Sequence, residues 1–234
     1  MTEQLFRDDS YLQSCAAIVT AAGDGGIELD RTVFYATGGG QPGDMGWLEL
    51  ADGSRVDIID TRKEGDAHIH VPAQGASLPG VGDTVSAVLD WDRRHRHMRM
   101  HSCLHLLCSV IKGGVTGGSI GVDKGRLDFD LQDTALDKDA IGAQLNRLID
   151  GDLAIGSDWI SDAEMAERAE MVRTMSVKPP TGQGRVRLID VQGVDLQPCG
   201  GTHVRSTGEI GPVRIGKIEN KGKHNRRINV HFDD

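Results

Sequence analysis

The chain has 234 residues, enough for one large domain or two small ones, and 38% of them are hydrophobic, which supplies a packed core and excludes global disorder. No run of about eighteen apolar residues occurs, and the opening MTEQLFRDDS lacks the basic-then-apolar layout of a secretion signal, so no membrane span is expected and the cytosol is the expected location. A net charge of −9 argues against a surface coated for indiscriminate nucleic-acid binding.

From the start to about residue 90 the chain reads as β-rich. Short apolar runs (AAIVTAA, IELDRTVFYA, GWLEL, RVDIIDTR) are separated by Gly-Asp, Asp-Gly and Pro-Gly turn signals, and LPGVGDTVSAVLDW closes the region with a turn and an alternating strand. Aromatics make up only 4% and there are 31 glycines, so packing should be aliphatic, with many turns and compact antiparallel strands. A small β-barrel is expected over residues 1–90. The texture changes at Asp92, where Asp-Arg-Arg can start a helix running to about Ile111 and ending at Gly113-Gly114. A glycine-rich hairpin should follow, then a strand at GRLDFDL. Residues 137–150 predict an amphipathic helix with Ile141, Leu145 and Leu148 on one face, and 161–173 predict another, opened by a Ser with a Glu three places on. The tail from Arg185 is β-like again (RVRLIDVQGVDLQ, GPVRIGKIEN, RRINVHF). Strands and helices mix without strict alternation, which predicts an α+β fold with an antiparallel sheet, residues 91–234 forming the second domain.

Charge is unevenly spread. Residues 123–170 hold thirteen acids against five bases, whereas 212–231 hold six bases (Arg214, Lys217, Lys221, Lys223, Arg226, Arg227) against Glu219 alone. A second basic cluster, Arg93, Arg94, Arg96 and Arg99, is interleaved with His95 and His97. Two basic patches on an acidic body suit a partner with a short stretch of phosphates; equally, they suit plain solvated faces.

The cysteines at 15, 103, 108 and 199 form no CxxC pair and read as reduced thiols. His101 and His105, four apart on the predicted helix, project from one face at the separation two imidazoles need to share a metal ion. Alone, that pair reads better as two partly buried helix histidines. Cys199 and His203, in QPCGGTHV, add a thiolate and an imidazole that a glycine-rich turn can bring together. One Cys and three His suit tetrahedral zinc. Cys103 should point away from that face, Cys108 should belong to the core, and Cys15 has no partner nearby. The HExxH of metalloproteases is absent because Ser102 follows His101, and no GxSxG elbow is present.

Three blocks, FYATGGGQPGDMGWL, RRHRHMRMHSCLHLL and VQGVDLQPCGGTHVRSTGEIGPVRIGKIENKGKHNRRINV, resemble the editing half of alanyl-tRNA synthetase and, more closely, its free-standing relatives, the AlaX alanyl-tRNA editing proteins of the longer form. They stand in the family's order, and with their connecting segments the resemblance covers nearly the whole chain. It implies that His101, His105, Cys199 and His203 bind zinc. It further implies that the loop TGGGQP at 37–42 lies near the editing pocket and faces the metal cleft, with Gln41 at a position implicated in editing and Gly38, Gly39 and Gly40 shaping substrate contact; by itself such a loop is a plain turn. Where the family often has Thr-Ala-Thr between its histidines, this chain has Ser102, Cys103 and Leu104.

The activity so implied is hydrolysis of the ester joining a wrong amino acid, serine or glycine, to alanine tRNA. An alanine pocket cannot strongly reject either, since one group is worth only about 1–3 kcal/mol, so a second sieve is needed. Thr37 is a candidate for reading the serine hydroxyl, and Arg93, Arg94, Lys221 and Arg226 for contacting tRNA phosphates. Nothing resembles an ATP-binding, amino-acid-activating half, and Met1 fits a stand-alone chain better than a fragment of a synthetase. A threonyl-type editing domain shares the ligand motifs, but TGGGQP fits the alanyl type better. The reading from another class, a zinc-stabilised tRNA-binding module without hydrolytic activity, keeps the same ligands.

Overall fold

The computed structural model of the chain describes residues 2–131, 135–168, 172 and 184–234. Two compact units divide it, Met1–His95 and Arg96–Asp234, and the architecture is α+β.

The first unit is built on a closed antiparallel barrel. Its strands are β2 (Ser14–Gly23), β3 (Gly26–Leu29), β5 (Gly46–Leu50), β6 (Arg55–Glu64), β7 (Ala67–Pro72) and β8 (Thr84–Leu89), in the order β2-β3-β7-β6-β5-β8 with β8 returning to β2. Two short strands, β1 (Glu3–Gln4) and β4 (Arg31–Thr32), pair in parallel outside it. The alternation visible in the sequence is the alternation of the pleat: in β6, Val56 and Ile58 are buried while Arg55 and Asp57 are exposed. Inward side chains such as Val19, Ile27, Leu29, Leu48, Ile58 and Val85 fill the barrel, and closure removes the edges on which other chains could pair. Strand β7 breaks the alternation, because His68, Ile69 and His70 are all buried. His70 is held on both sides: Nδ1 lies 3.1 Å from the Ile27 carbonyl and Nε2 2.8 Å from the Thr32 hydroxyl.

Helix α1 (Trp91–Val110) starts one residue before the expected Asp92. The reason is Asp90, whose side chain accepts from the Arg93 amide at 3.2 Å, and whose carbonyl accepts from Arg94 at 3.0 Å, so Asp90 rather than Asp92 caps the first turn.

In the second unit, β9 (Gly114–Ile120), β10 (Lys124–Asp130), β14 (Val213–Asn220) and β15 (Asn225–Phe232) form an antiparallel sheet in the order β14-β15-β10-β9. Leu127, Phe129, Ile228 and Val230 lie on its buried side. The expected glycine-rich hairpin is therefore a hydrogen-bonded strand, β9, followed by a turn. Helix α2 (Lys138–Asp150) is capped by Asp137, whose side chain accepts from the amides of residues 139 and 140. Its buried residues are Ile141, Leu145 and Ile149. The expected Leu148 is only half-buried, because the stripe continues at i+8 rather than i+7. Asn146 ties this helix to β14, donating to the Val213 carbonyl at 2.7 Å and accepting from its amide at 3.0 Å. A second sheet orders β11 (Ile155–Ser161), β12 (Arg185–Val191) and β13 (Asp195–Pro198) as β11-β12-β13. Helix α3 (Asp162–Glu167) opens with the expected capping box between Ser161 and Glu164; residues 169–171 and 173 of the predicted helix lie outside the described residues. Among the described residues no helix is long and apolar enough to cross a membrane.

Candidate metal centre

Helix α1 supplies the first half of the site. His101 and His105 stand one turn apart, with ring centroids 5.3 Å apart, and every residue from Met100 to Cys108 is buried. The second half comes from the segment after β13. There the Cys199 amide donates to the Arg187 carbonyl at 3.0 Å, and the Arg187 side chain donates to the Gly201 carbonyl at 2.8 Å, so β12 grips the loop at both ends. Gly201 in turn donates its amide to Cys199 Sγ at 3.4 Å.

The four donor atoms of His101, His105, Cys199 and His203 all lie within 4.8 Å of one another. Cys199 Sγ is 3.5 Å from His101 Nε2 and 3.3 Å from His203 Nε2. Ligand bonds of about 2.0–2.3 Å at tetrahedral angles place ligand atoms about 3.3–3.7 Å apart, so the two sulfur–nitrogen spacings and the donor set are consistent with a zinc ion. Two further polar groups reach the rings from behind. Ser102 Oγ lies 3.0 Å from His203 Nδ1 and also accepts from the Val204 amide at 3.3 Å. Asp195 Oδ2 lies 3.5 Å from His105 Nδ1.

Electrostatics prepare the thiol as a ligand. Burial opposes ionisation of Cys199, but the charges of His101 and His203, with hydrogen bonds from His101 and His105, hold its pKa well below the ordinary thiol value. Burial also works against charge on His105; hydrogen bonds with Asp195 and Cys199 overcome it and push that imidazole up to about 9. His203 is held well below the usual histidine value, by burial and by the charge of His101. A thiolate and neutral imidazoles are the forms a metal requires, so loading this cluster releases protons.

The other cysteines stay apart from this chemistry. Cys103 is fully buried, and burial pushes its thiol up to about 12. Cys108 is buried as expected, and Cys15 is half-buried on β2 with burial raising its pKa.

The glycine loop is a braced structure within the first unit. Gly38 and Gln41 exchange backbone hydrogen bonds (3.1 and 2.9 Å), and Gly39 and Gly40 have φ of +56° and +84°, the signs of a type I′ turn. Gln41 is buried. Thr37 Oγ1 donates to the Thr61 carbonyl at 3.2 Å and accepts from the Gly43 amide at 2.8 Å. These two bonds brace the loop against β6. Gly43 is fixed for space: a Cβ there would sit 2.0 Å from the Thr61 carbonyl oxygen.

Arg94 corrects the sequence reading. It is fully buried, paired with the buried Asp44, and donates to the carbonyls of Ser10 (3.1 Å) and Val33 (2.7 Å). A guanidinium used in this way does not meet phosphate. Arg93 is half-buried and donates to the Gly43 carbonyl at 2.7 Å. On the β14–β15 turn, Lys221 pairs with Glu219 at 2.6 Å, and Arg226 Nη1 holds the turn through Asn220 Oδ1 (3.0 Å) and the Gly222 carbonyl (3.1 Å).

Sequence reasoning missed Ser102, Arg187, Asp195 and Gln197. A signal existed for two of them: in β13 the polar Asp195 and Gln197 are buried while Leu196 between them is 40% exposed, an inverted pattern.

Residues 186–229 match the family described as threonyl and alanyl tRNA synthetase second additional domain, and residues 4–93 match that described as tRNA synthetases class II (A). One match falls in each of the two compact units. An alanyl-tRNA editing protein AlaX-M of Methanosarcina acetivorans is 38% identical over 97% of this chain and 98% of its own length, and one of Saccharolobus solfataricus is 32% identical over the same shares. An alanine–tRNA ligase of Metallosphaera sedula is 33% identical over 93% of this chain, which corresponds to 25% of the ligase. The chain belongs to the AlaX-M family of alanyl-tRNA editing proteins.

Proposed function

We propose that this protein hydrolyses the ester of alanine tRNA wrongly charged with serine, and also with glycine, while sparing Ala-tRNA, as an aminoacyl-tRNA deacylase. The observation that carries the reading is the convergence of His101, His105, Cys199 and His203, within 4.8 Å, in a chain of an alanyl-tRNA editing family. In this reading residues 91–234 form the editing domain, and 1–90 an N-terminal barrel domain. The four side chains hold zinc, which when bound supplies Lewis acidity at the scissile ester. Ser102 fixes the ring of His203 so that Nε2 is presented to the cluster. Thr37 and Gln41 belong to the pocket that reads the aminoacyl group, and Gly38, Gly39 and Gly40 give the backbone room for it. Lys221, Arg226 and Arg93 meet tRNA phosphates, which position the substrate and make binding salt-sensitive.

A second reading is favoured by one feature: four protein ligands complete a tetrahedral shell, as in structural zinc sites. Zinc would then only stabilise a tRNA-binding module. The test is incubation of the purified protein with Ser-, Gly- and Ala-charged alanine tRNA, following ester loss with and without a chelator, beside metal analysis that should find about one zinc per chain. His105→Ala is expected to lower Ser-tRNA hydrolysis far more than stability. Parental rates in that variant would detach the metal from catalysis, and binding of all three charged tRNAs without ester loss would establish the binding module.

A further inference from the structure

We infer that Asp195 is a positioning residue for the metal centre, acting through His105; the inference rests on the zinc reading of the cluster. Asp195 lies on β13 with its side chain fully buried, and its Oδ2 faces His105 Nδ1 at 3.5 Å, a long contact between a carboxylate and an imidazole whose charge it favours. Gln197, two residues on and on the same face of the strand, donates from Nε2 to that same oxygen at 2.6 Å. His105 Nδ1 is buried, and among the described residues no closer polar group meets it, so the carboxylate is what it faces.

A neutral imidazole carries one N–H. A carboxylate opposite Nδ1 draws that proton to Nδ1 and leaves the lone pair on Nε2 for the ion. Ser102 treats His203 in the same way, with Oγ at 3.0 Å from Nδ1. The two outer partners differ in charge, and that difference has a purpose. A divalent ion with one thiolate leaves a buried centre with one net positive charge, and buried charge is costly unless compensated. The Asp195 carboxylate cancels it. The cost of burying this carboxylate, to which the Gln197 amide donates, is offset by the same ion. Gln197 is the brace that aims the carboxylate.

The test compares zinc affinity, by competition with a chromophoric chelator, in the parent, Asp195→Asn, Asp195→Ala and Gln197→Leu. Asp195→Asn keeps the shape and an acceptor for Gln197 but removes the charge. It is expected to weaken zinc binding about 10- to 100-fold while the metal-free protein melts at the parental temperature. Cobalt substituted into the site should show visible bands altered in position or intensity in Asp195→Asn and Asp195→Ala, and Gln197→Leu should weaken binding in the same direction by less. A merely structural Asp195 would lower the melting temperature of the metal-free protein and leave affinity and bands unchanged, which overturns the proposal. Should Asp195→Ala fail to fold, Asp195→Asn decides alone. A parent that takes up zinc while Asp195→Asn binds it equally well sinks the role of Asp195 only; a parent that takes up no zinc sinks the zinc reading with it.

Discussion

Two stretches of this chain carry nearly the same signature in sequence, arginines and lysines crowded on an acidic protein, and the fold uses them in opposite ways. On helix α1, Arg93 holds the Gly43 carbonyl and Arg94 is buried against Asp44. Arg96 reaches the Val122 carbonyl and Asp123, and Arg99 reaches the Ile210 carbonyl and Asp234. Phe232 lies under the guanidinium groups of both Arg96 and Arg99, at 5.2 and 4.3 Å. Arg94, Arg96 and Arg99 each tie a loop or a chain end to the helix; the half-buried Arg93 ties Gly43 besides the phosphate contact proposed for it. On the β14–β15 hairpin, Arg214, Lys217, Lys221 and Lys223 are exposed, with ion pairs of the surface kind, Arg214 to Asp233 and Lys221 to Glu219. Arg227 departs from its neighbours by binding Asp128 through two contacts of 2.8 Å. The lesson concerns arginine itself. Its five donors and always-charged fork satisfy stray carbonyls as readily as phosphates, and only burial separates the two uses.

The comparison breaks or holds first at Arg94. Arg94→Ala strands the buried Asp44 carboxylate together with the Ser10 and Val33 carbonyls. A loss of about 3–5 kcal/mol is expected in urea or thermal unfolding. Arg94→Lys should recover little, since one ammonium cannot serve three directions. Melting within about 0.5 kcal/mol of the parent would return Arg94 to the surface set.

Histidines divide along the same line, and pH exposes it. Burial, with the neighbouring charges of His70 and Lys63, lowers the His68 pKa to about 3, against a hydrogen bond with the Phe34 backbone. Burial lowers His70 to about 4, outweighing its bond to the Ile27 carbonyl. Both values lie below the unfolded value of 6.5, so between 6.5 and about 4 the unfolded chain holds more protons than the folded one. Stability is therefore complete above 6.5 and falls as pH drops, by about 1.4 kcal/mol per pH unit for each ring, or about 2 kcal/mol for each at pH 5. Denaturant melts of the parent and of His70→Gln across that range should show the slope halve in the variant; an unchanged slope would mean that His70 is not buried uncharged.

What the sequence made legible follows the physics of each element. The barrel could be read because β8 alternates along its length and β6 does so over residues 55–58, and the His/Cys cluster because HxxxH and CxxxH impose their own geometry. Strand β9, GVTGGSI, was legible only as part of a glycine-rich hairpin, because glycine disfavours strands locally and its pairing with β10 overrides that preference. In β7 the buried histidines broke the alternation that marks a strand. The inverted pattern of β13 marks Asp195 as unusual but not its partner: it faces His105, ninety residues away, and no spacing rule links them. The role of Arg94 depends likewise on Asp44, fifty residues earlier.

Arg99 gives the intermediate case. Its side chain is 13% exposed and ends on the Ile210 carbonyl (2.9 Å) and Asp234 (2.8 Å). Removing it in Arg99→Ala should lower stability by about 1–2 kcal/mol, through two lost charge-assisted bonds and the stacking on Phe232. The salt dependence of tRNA binding should not change.

The smallest effect on stability and the largest on the salt dependence of binding is expected at the hairpin tip. Lys221, Lys223 and Arg226 surround a turn of exposed residues, 220–224, and the Lys221–Glu219 pair is a surface contact whose loss matters little. Lys221→Ala and Lys223→Ala should each leave unfolding within about 0.5 kcal/mol of the parent. Arg226→Ala also frees the turn that its Nη1 holds, so Arg226→Lys, which keeps the charge, is its control. If these cations meet tRNA phosphates, each lost contact lowers the slope of log affinity against log salt by about 0.7–0.9, equally for cognate and unrelated tRNA, because phosphate contacts carry no sequence information. Measured across a salt series, the hairpin variants should therefore change the slope without the melt, and Arg99→Ala the melt without the slope. A flat slope in all three hairpin variants would move the tRNA contact elsewhere on the protein.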